Sequence, residues 1–158
     1  MDPERLTPDE PAPDFTLESD SGEPVTLSEL RGSPVVVYFY PRDDTPGCTR
    51  QACAFRDFEA EFAERGAVIL GISPDDPASH RRFKEKHALP FTLLSDPDHA
   101  VAEAYGVWGE QSYAGRTYMG VQRSTFVVDA DGTLLRAMYG VKPDTNPADV
   151  LAALPAPA

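Results

Sequence analysis

The sequence predicts a mixed α/β fold, a central sheet flanked by helices, and two patterns support this prediction. Through the middle of the 158-residue chain, short apolar runs alternate with segments whose apolar residues recur at helical spacing. Near the C-terminal end, two β-rich runs surround Asp129-Ala-Asp-Gly132, a sequence typical of a hairpin turn. Strands joined by helices pair in parallel, whereas a hairpin pairs antiparallel, so together the patterns predict a mixed sheet.

The N-terminal part is expected to form a hairpin, a buried strand and a helix. Residues 14–18 and 25–27 flank a Ser-Gly turn, which predicts the hairpin. Residues 35–40 are a continuous β-branched and aromatic run, as expected for a strand buried on both faces, and Pro41 ends it. A helix is predicted over residues 49–65, because alanine and phenylalanine residues recur there at helical spacing.

The middle of the chain continues the alternation. Residues 67–72 predict a second buried strand and residues 78–87 a helix. A third short strand is predicted at 91–94, followed by a helix at 98–105. Residues 106–122 are rich in glycine and aromatic side chains, and we expect a loop there with partial strand character.

The last part of the chain is expected to close one domain that spans residues 1–158. Residues 124–128 and 133–138 form the two strands of the C-terminal hairpin, and a helix is predicted at 146–154. Proline-rich sequence at both ends predicts flexible tails over residues 1–11 and 155–158.

Composition argues against several classes of function. The formal net charge of −12 gives a surface that repels phosphate backbones and anionic lipid, so neither nucleic acid nor a membrane is expected as a partner. The acidic N-terminus does not resemble a secretory signal, which predicts a cytoplasmic protein. Two cysteines are too few for a disulfide scaffold, and the three histidines lie far from them in sequence, so no metal site or cofactor is expected.

Cys48 lies where the loop after a buried strand becomes the first turn of a helix. Free backbone N–H groups and the helix dipole favour an anion there, so Cys48 is placed to be a thiolate. An unperturbed thiol has a pKa near 8.5, and a reactive value near 6 requires roughly 3 kcal/mol in favour of the anion. An exposed helix terminus supplies about 0.3–1 kcal/mol. Since Asp43 and Asp44 act in the opposite direction, a fixed cation is also needed.

Arg123 is the best candidate for this cation, because it directly precedes a buried strand from which it can approach the sulfur. Arg42, Arg50 and Arg56 are nearer in sequence, but they lie on loops or helix faces where a solvated role is commoner. The sequence leaves these three open as alternatives.

Cys53 is separated from Cys48 by more than a helical turn. Five residues along a helix correspond to a rise of about 7.5 Å and place the two Cβ atoms on the order of 9–10 Å apart. A disulfide requires about 3.8 Å, so the pair can bond only if the first turns unwind. The helical positions place Cys48 inward and Cys53 outward. For Cys53 alone, a role as a small core residue remains an alternative.

The segment from Pro41 through Thr45 to Cys48 resembles the active-site signature of the peroxiredoxins, in particular the bacterioferritin comigratory protein (PrxQ) branch. The likeness extends over most of the chain, including Ala12-Pro-Asp-Phe15 and Gly115-Arg-Thr-Tyr-Met-Gly120. It implies a thioredoxin-like fold with Cys48 as peroxidatic and Cys53 as resolving cysteine. It further implies that Arg123 holds the thiolate, that Thr45 hydrogen-bonds the peroxide and that Pro41 shields the sulfur from water.

The same resemblance implies an atypical two-cysteine peroxidase that reduces hydrogen peroxide and organic hydroperoxides. Its Cys48–Cys53 disulfide would be recycled by thioredoxin, or else by glutaredoxin, and the protein would be a monomer or weak homodimer. Two other functions stay open: a thiol–disulfide oxidoreductase, which normally has Cys-x-x-Cys spacing, and a non-catalytic binding protein that responds to oxidation.

Overall fold

A seven-stranded mixed sheet forms the centre of the protein, whose computed structural model describes residues 5–155 and, of Tyr113, the backbone alone. Within these residues, no helix is long and apolar enough to cross a membrane. The strands are β1 (Thr16–Ser19), β2 (Pro24–Thr26), β3 (Val35–Phe39), β4 (Val68–Ser73), β5 (Thr92–Ser95), β6 (Trp108–Tyr113), β7 (Arg116–Val121), β8 (Ser124–Val128) and β9 (Leu134–Tyr139). The helices are α1 (Pro46–Asp57), α2 (Glu59–Glu64), α3 (Pro77–His87), α4 (Ala100–Ala104) and α5 (Asn146–Ala153).

The strand order is β2-β1-β5-β4-β3-β8-β9. The helix-connected strands β3, β4 and β5 are parallel, whereas the pairs β1–β2, β3–β8 and β8–β9 are antiparallel. The predicted mixed sheet and N-terminal hairpin are therefore both present. In the central pair, Phe39 lies opposite Ser124, so the start of β8 is next to the end of β3. This register fixes which loops meet at the site described below.

The sheet has an apolar core on each face, because side chains alternate along its central strand. Val35, Val37 and Phe39 of β3 point into a cluster that α4 covers. Val36 and Tyr38 point into a second cluster, which α1, α2, α3 and α5 cover. All five residues are buried, as the continuous apolar run predicts for a strand with helices on both faces.

Two predicted segments differ from the structure. The single helix expected over 49–65 is divided at Phe58, whose ψ of 10° departs from α-helical values and whose N–H donates to the Ala54 and Phe55 carbonyl groups, each at 3.2 Å. Residues 106–122 form a complete hairpin, β6–β7, which stands outside the main sheet. Much of β7 is exposed, so it lacks the buried face that makes a strand visible as apolar alternation.

Of the tail predicted over residues 1–11, the described part, residues 5–11, makes hydrogen bonds to β9. The Asp9 N–H donates to the Leu134 carbonyl at 2.9 Å, and the Leu134 N–H donates to the Glu10 carbonyl at 2.8 Å. The Leu6 N–H donates to the Tyr139 hydroxyl at 2.9 Å. The two bonds to Leu134 satisfy backbone groups of β9, which is an edge strand. Of the two predicted tails, residues 1–4 and 156–158 lie outside the described residues.

Candidate active site

Cys48 lies in the first turn of α1, on the face that packs against the sheet. Thr45 occupies the N-cap position with extended backbone, and Pro46 follows as the first helical residue. The Cys48 side chain is 1% exposed and belongs to the same apolar cluster as Tyr38. Burial raises the pKa of Tyr38 well above its usual range, with the charge of Cys48 as a second cause, so this neighbour stays neutral. The predicted inward position of Cys48 is therefore observed.

Arg123 reaches the sulfur from the sheet. Its Nη2 donates to Cys48 Sγ at 3.4 Å. Arg123 can do so because β8 starts beside the end of β3, the strand from which the loop to Cys48 departs. Arg50 instead pairs with Asp144, and its side chain is 55% exposed. Of the cations considered from the sequence, Arg123 is thus the one that the structure brings to the thiol.

The other two alternatives are directed elsewhere. Arg56 donates to the His87 carbonyl at 2.7 Å. Arg42 lies in the loop before Cys48, where it lines the surface beside Pro41 and Thr45. Neither residue carries the contact that Arg123 makes.

Gln51, which the sequence analysis did not single out, holds the guanidinium in place, and Gly47 leaves room for it. Arg123 Nη1 donates to Gln51 Oε1 at 2.8 Å, and Gln51 is fully buried on α1. A Cβ atom at Gly47 would stand 3.0 Å from Arg123 Nη2, so glycine provides the room for this approach. Gln51 could have been found from the sequence, because it is a polar residue three positions after Cys48 and therefore lies on the inward face of the predicted helix.

The buried amide of Gln51 is itself fixed. Its Nε2 donates to Asn146 Oδ1 at 3.0 Å, and Thr125 Oγ1 donates to the same oxygen at 2.7 Å. Asn146 begins α5 and is buried, so the chain of bonds connects α1, the sheet and α5. Because each buried polar group has a partner, the guanidinium is held in one orientation.

Cys53 lies on α1 as well, partly exposed, and both thiols are free. The helix is continuous from Pro46 to Asp57, so it separates the two cysteines as helix geometry requires. Cys48 is buried and Cys53 is the more exposed of the two, in agreement with the predicted inward and outward positions.

Comparison with known proteins identifies the family. The sequence profile of the AhpC/TSA family matches residues 8–137. The peroxiredoxin Bcp of Bacillus subtilis is 50% identical over 143 residues, which make up 90% of this chain and 91% of that protein. The chain belongs to the AhpC/TSA family, among its peroxiredoxins. The peroxiredoxin Bcp of Escherichia coli, 52% identical over 123 residues, covers 78% of this chain and 79% of its own.

Solved peroxiredoxin structures share the architecture. The bacterioferritin comigratory protein of Xanthomonas campestris superposes with a TM-score of 0.83 at 37% identity, over 88% of each chain. Peroxidoxin BcpB of Mycobacterium tuberculosis gives a TM-score of 0.84 at 37% identity, over 94% of this chain and 96% of its own. The predicted thioredoxin-like fold and the resemblance to this branch are therefore confirmed. A peroxiredoxin is a thiol-dependent peroxidase, so the predicted class of enzyme is confirmed too.

In this peroxiredoxin, Pro41 and Thr45 lie in the loop that leads into α1. Both line an apolar groove of about 600 Å³, whose opposite wall includes Trp108 and Met119 from the β6–β7 hairpin. The Thr45 hydroxyl donates to the Arg42 carbonyl at 3.0 Å, so its oxygen keeps lone pairs for another donor. The roles expected for Pro41 and Thr45 toward a bound peroxide stay predictions.

The described part of the chain, residues 5–155, contains no group of three histidine, cysteine or acidic side chains arranged to hold a metal ion.

Replacing Gln51 with glutamate tests the electrostatic part of this arrangement. A neutral amide orients Arg123 without offsetting its charge, whereas a carboxylate at that position would neutralise it and would repel Asn146 Oδ1. We expect Cys48 to react with hydrogen peroxide roughly three- to tenfold more slowly at neutral pH, since a loss of about 0.7–1.4 kcal/mol corresponds to that range. Stopped-flow measurements over a pH series check this. The defect should shrink at high pH, and a rate equal to that of the wild type would contradict it.

Proposed function

We propose that this peroxiredoxin is an atypical two-cysteine peroxidase in which Cys48 reduces the peroxide and Cys53 resolves the oxidised form. The contact between Arg123 Nη2 and Cys48 Sγ carries the proposal. A buried thiolate is costly without a partner, and a guanidinium that is itself fixed by Gln51 supplies a cation that cannot be deprotonated. The dipole of α1, whose positive end lies at the helix N-terminus, also stabilises the Cys48 thiolate.

The geometry supports a direct displacement at oxygen. The Cys48 thiolate attacks one peroxide oxygen, the O–O bond breaks, and the other oxygen leaves as hydroxide or alkoxide and takes up a proton. Pro46 has no N–H, and the Thr49 N–H is bonded to the Thr45 carbonyl at 2.8 Å. The N–H groups of Gly47 and Cys48 are the next donors at this helix end. Together with Arg123 they would stabilise the developing negative charge, as would the Thr45 hydroxyl once it rotates away from the Arg42 carbonyl to donate to the leaving oxygen.

Resolution then uses the second thiol. Cys48 becomes a sulfenic acid, the Cys53 thiolate attacks its sulfur, and water leaves as the disulfide forms. An external dithiol, for which thioredoxin is the first candidate and glutaredoxin the second, reduces this disulfide. Dithiol recycling operates in a reducing compartment, so we propose that the enzyme is cytoplasmic. Separately, we expect it to be a monomer or a weak homodimer.

The proposed substrates are hydrogen peroxide and organic hydroperoxides. The groove beside Thr45 presents apolar side chains that would contact an alkyl group, with Trp108 and Met119 on its wall. The published description of the related Xanthomonas campestris protein concerns alkyl peroxide reduction, which supports the same substrate class here.

Stopped-flow mixing with hydrogen peroxide, followed by peptide mass mapping, tests the function. We expect Cys48 to be oxidised much faster than free cysteine and one intramolecular disulfide to appear. Oxidation as slow as that of free cysteine would favour a binding protein that responds to oxidation. Rapid reduction of insulin without any peroxide would favour a thiol–disulfide oxidoreductase.

Amide exchange provides a second test, of the resolving step. Because an intact α1 keeps the cysteines apart, the disulfide form should lose amide protection across residues 46–54 relative to the reduced form. Hydrogen–deuterium exchange with mass spectrometry of both redox states measures this, and β4 serves as an internal reference that should not change. Equal exchange in the two states would show that Cys53 is reached without unwinding.

A further inference from the structure

A buried cluster of polar side chains, separate from the proposed site, surrounds Asp43 in the loop between β3 and α1. The Tyr40 hydroxyl donates to Asp43 Oδ1 at 2.6 Å. On the other carboxylate oxygen, His80 Nδ1 lies 2.7 Å away, and the Ser79 hydroxyl donates at 2.8 Å. Burial raises the pKa of Tyr40 well above its usual range, so its hydroxyl keeps the proton that it donates. No step of the peroxidase cycle uses this cluster.

The ring of His80 is fully buried and faces an acceptor on each side. Its Nε2 lies 2.9 Å from the Leu94 carbonyl oxygen, while its Nδ1 faces the Asp43 carboxylate. His80, on α3, therefore connects the Asp43 carboxylate of the loop with the Leu94 carbonyl, and loss of either Asp43 or His80 would leave a buried polar group without its partner.

The backbone of the same loop is fixed as well. The Asp43 N–H donates to Asp75 Oδ2 at 2.7 Å. The next residue, Asp44, has a φ of 60°, in the left-handed region that non-glycine residues rarely adopt. Its carboxylate contacts Lys86 at 2.8 Å and His87 at 3.3 Å, both on α3. A strained backbone of this kind persists where the surrounding contacts over-determine it, so α3 holds the loop under strain.

This loop leads directly into the helix that must unwind. Thr45, the N-cap of α1, is two residues after Asp43, and Cys48 follows in the first turn. The first turn of α1 can leave the sheet only if the loop before it moves. We propose that the Asp43–His80 pair is a positioning latch, which holds this loop on α3 and sets the rate at which α1 unwinds for disulfide formation. The inference rests on the proposed Cys48–Cys53 cycle.

The latch has a chemical consequence for the sulfenic acid of Cys48. That group either condenses with Cys53, releasing water, or is oxidised by a second peroxide to the sulfinic acid, while the peroxide is reduced to water or an alcohol. A tight latch keeps the sulfenic acid in the folded site and favours the second reaction. A weakened latch favours the disulfide.

Two variants test the latch, Asp43→Asn and His80→Leu, with Asp20→Asn as the matched control. Asp20 is also buried and also bonded to α3, through Lys84 at 2.9 Å, but it lies at the end of β1, bonded to Leu93 of β5, and not in the loop before α1. In each latch variant we expect disulfide formation to be roughly tenfold faster, the factor that about 1.4 kcal/mol represents. The sulfinic acid fraction at a fixed peroxide excess should fall accordingly. The control should lose thermal stability but keep the wild-type ratio of disulfide to sulfinic acid.

Chemical quench with alkylation and mass mapping measures both products. The proposal is wrong if both variants are less stable but form disulfide and sulfinic acid in the same ratio as the wild type. The pair would then have only a structural role. If neither variant folds, hydrogen exchange of the reduced wild type decides: the latch requires the bonded amides of Asp43 and Thr49 to open together, and independent opening would contradict it. If wild-type enzyme forms no Cys48–Cys53 disulfide, the proposed function fails; if it does and the variants resemble it, the latch alone fails.

Discussion

Replacing Cys48 with serine is expected to abolish peroxide consumption, with a loss on the order of 10⁴-fold or more, as for other catalytic nucleophiles. A serine hydroxyl keeps the shape of the side chain but is hardly ionised at neutral pH, so Arg123 has no anion to hold and the peroxide meets no nucleophile. The measurement is peroxide consumption coupled to thioredoxin and its reductase.

Cys53→Ser is the matched comparison, because it removes the other thiol of the same helix. We expect one equivalent of peroxide to be consumed at the wild-type rate, after which the Cys48 sulfenic acid persists and is oxidised further to the sulfinic acid. Trapping of the sulfenic acid with a dimedone-type reagent and mass mapping follow both species. Sustained turnover of Cys53→Ser with thioredoxin at the wild-type rate would show that Cys53 is not the resolving cysteine. Substantial activity of Cys48→Ser would show that Cys48 is not the peroxidatic cysteine.

The parts of the fold that the sequence predicted are those with a local signal. Strands β3 and β4 are almost entirely apolar and β8 is mainly β-branched and aromatic, because both faces of each strand are buried, and few structures other than a buried strand have such sequences. The hairpin β6–β7 was missed in its full extent since it stands outside the sheet with much of its surface exposed. It is held by pairing between its own strands and by core contacts at its base, from Trp108 and Val121, and neither leaves much apolar periodicity along the strands.

The residues of the site also differ in whether a local signal in the sequence predicts them. Cys48 was predictable because the end of an apolar run, a turn and a helix start are neighbours in sequence. The contact of Arg123 depends on the register that places Phe39 opposite Ser124, and four arginines were open until that pairing was known. Asp43 and His80 were missed for a related reason: 37 positions separate them, and Asp43 on its own is typical of a turn.

Arg123→Ala should have the second-largest effect, a decrease of roughly ten- to a hundredfold in the ratio of thiolate to thiol at Cys48 at any given pH. The guanidinium supplies a charge-assisted hydrogen bond at a buried sulfur, and a helix terminus alone gives about 0.3–1 kcal/mol. The variant also leaves Gln51 Oε1 without its donor, so water or a rearranged amide must take the place of the side chain. The ultraviolet absorbance of the thiolate, titrated against pH, measures the ionised fraction.

Arg50→Ala is the control for charge alone, since Arg50 lies on α1 close to Cys48 in sequence but is exposed and paired with Asp144. We expect its titration to match that of the wild type within error, because a solvated pair is screened. Arg123→Lys separates charge from geometry: one ammonium group is a point charge and lacks the fork that reaches Gln51 and Cys48 together. A lysine variant intermediate between alanine and wild type would show that orientation contributes beyond charge, whereas an alanine variant that titrates like the wild type would exclude Arg123 from thiolate stabilisation.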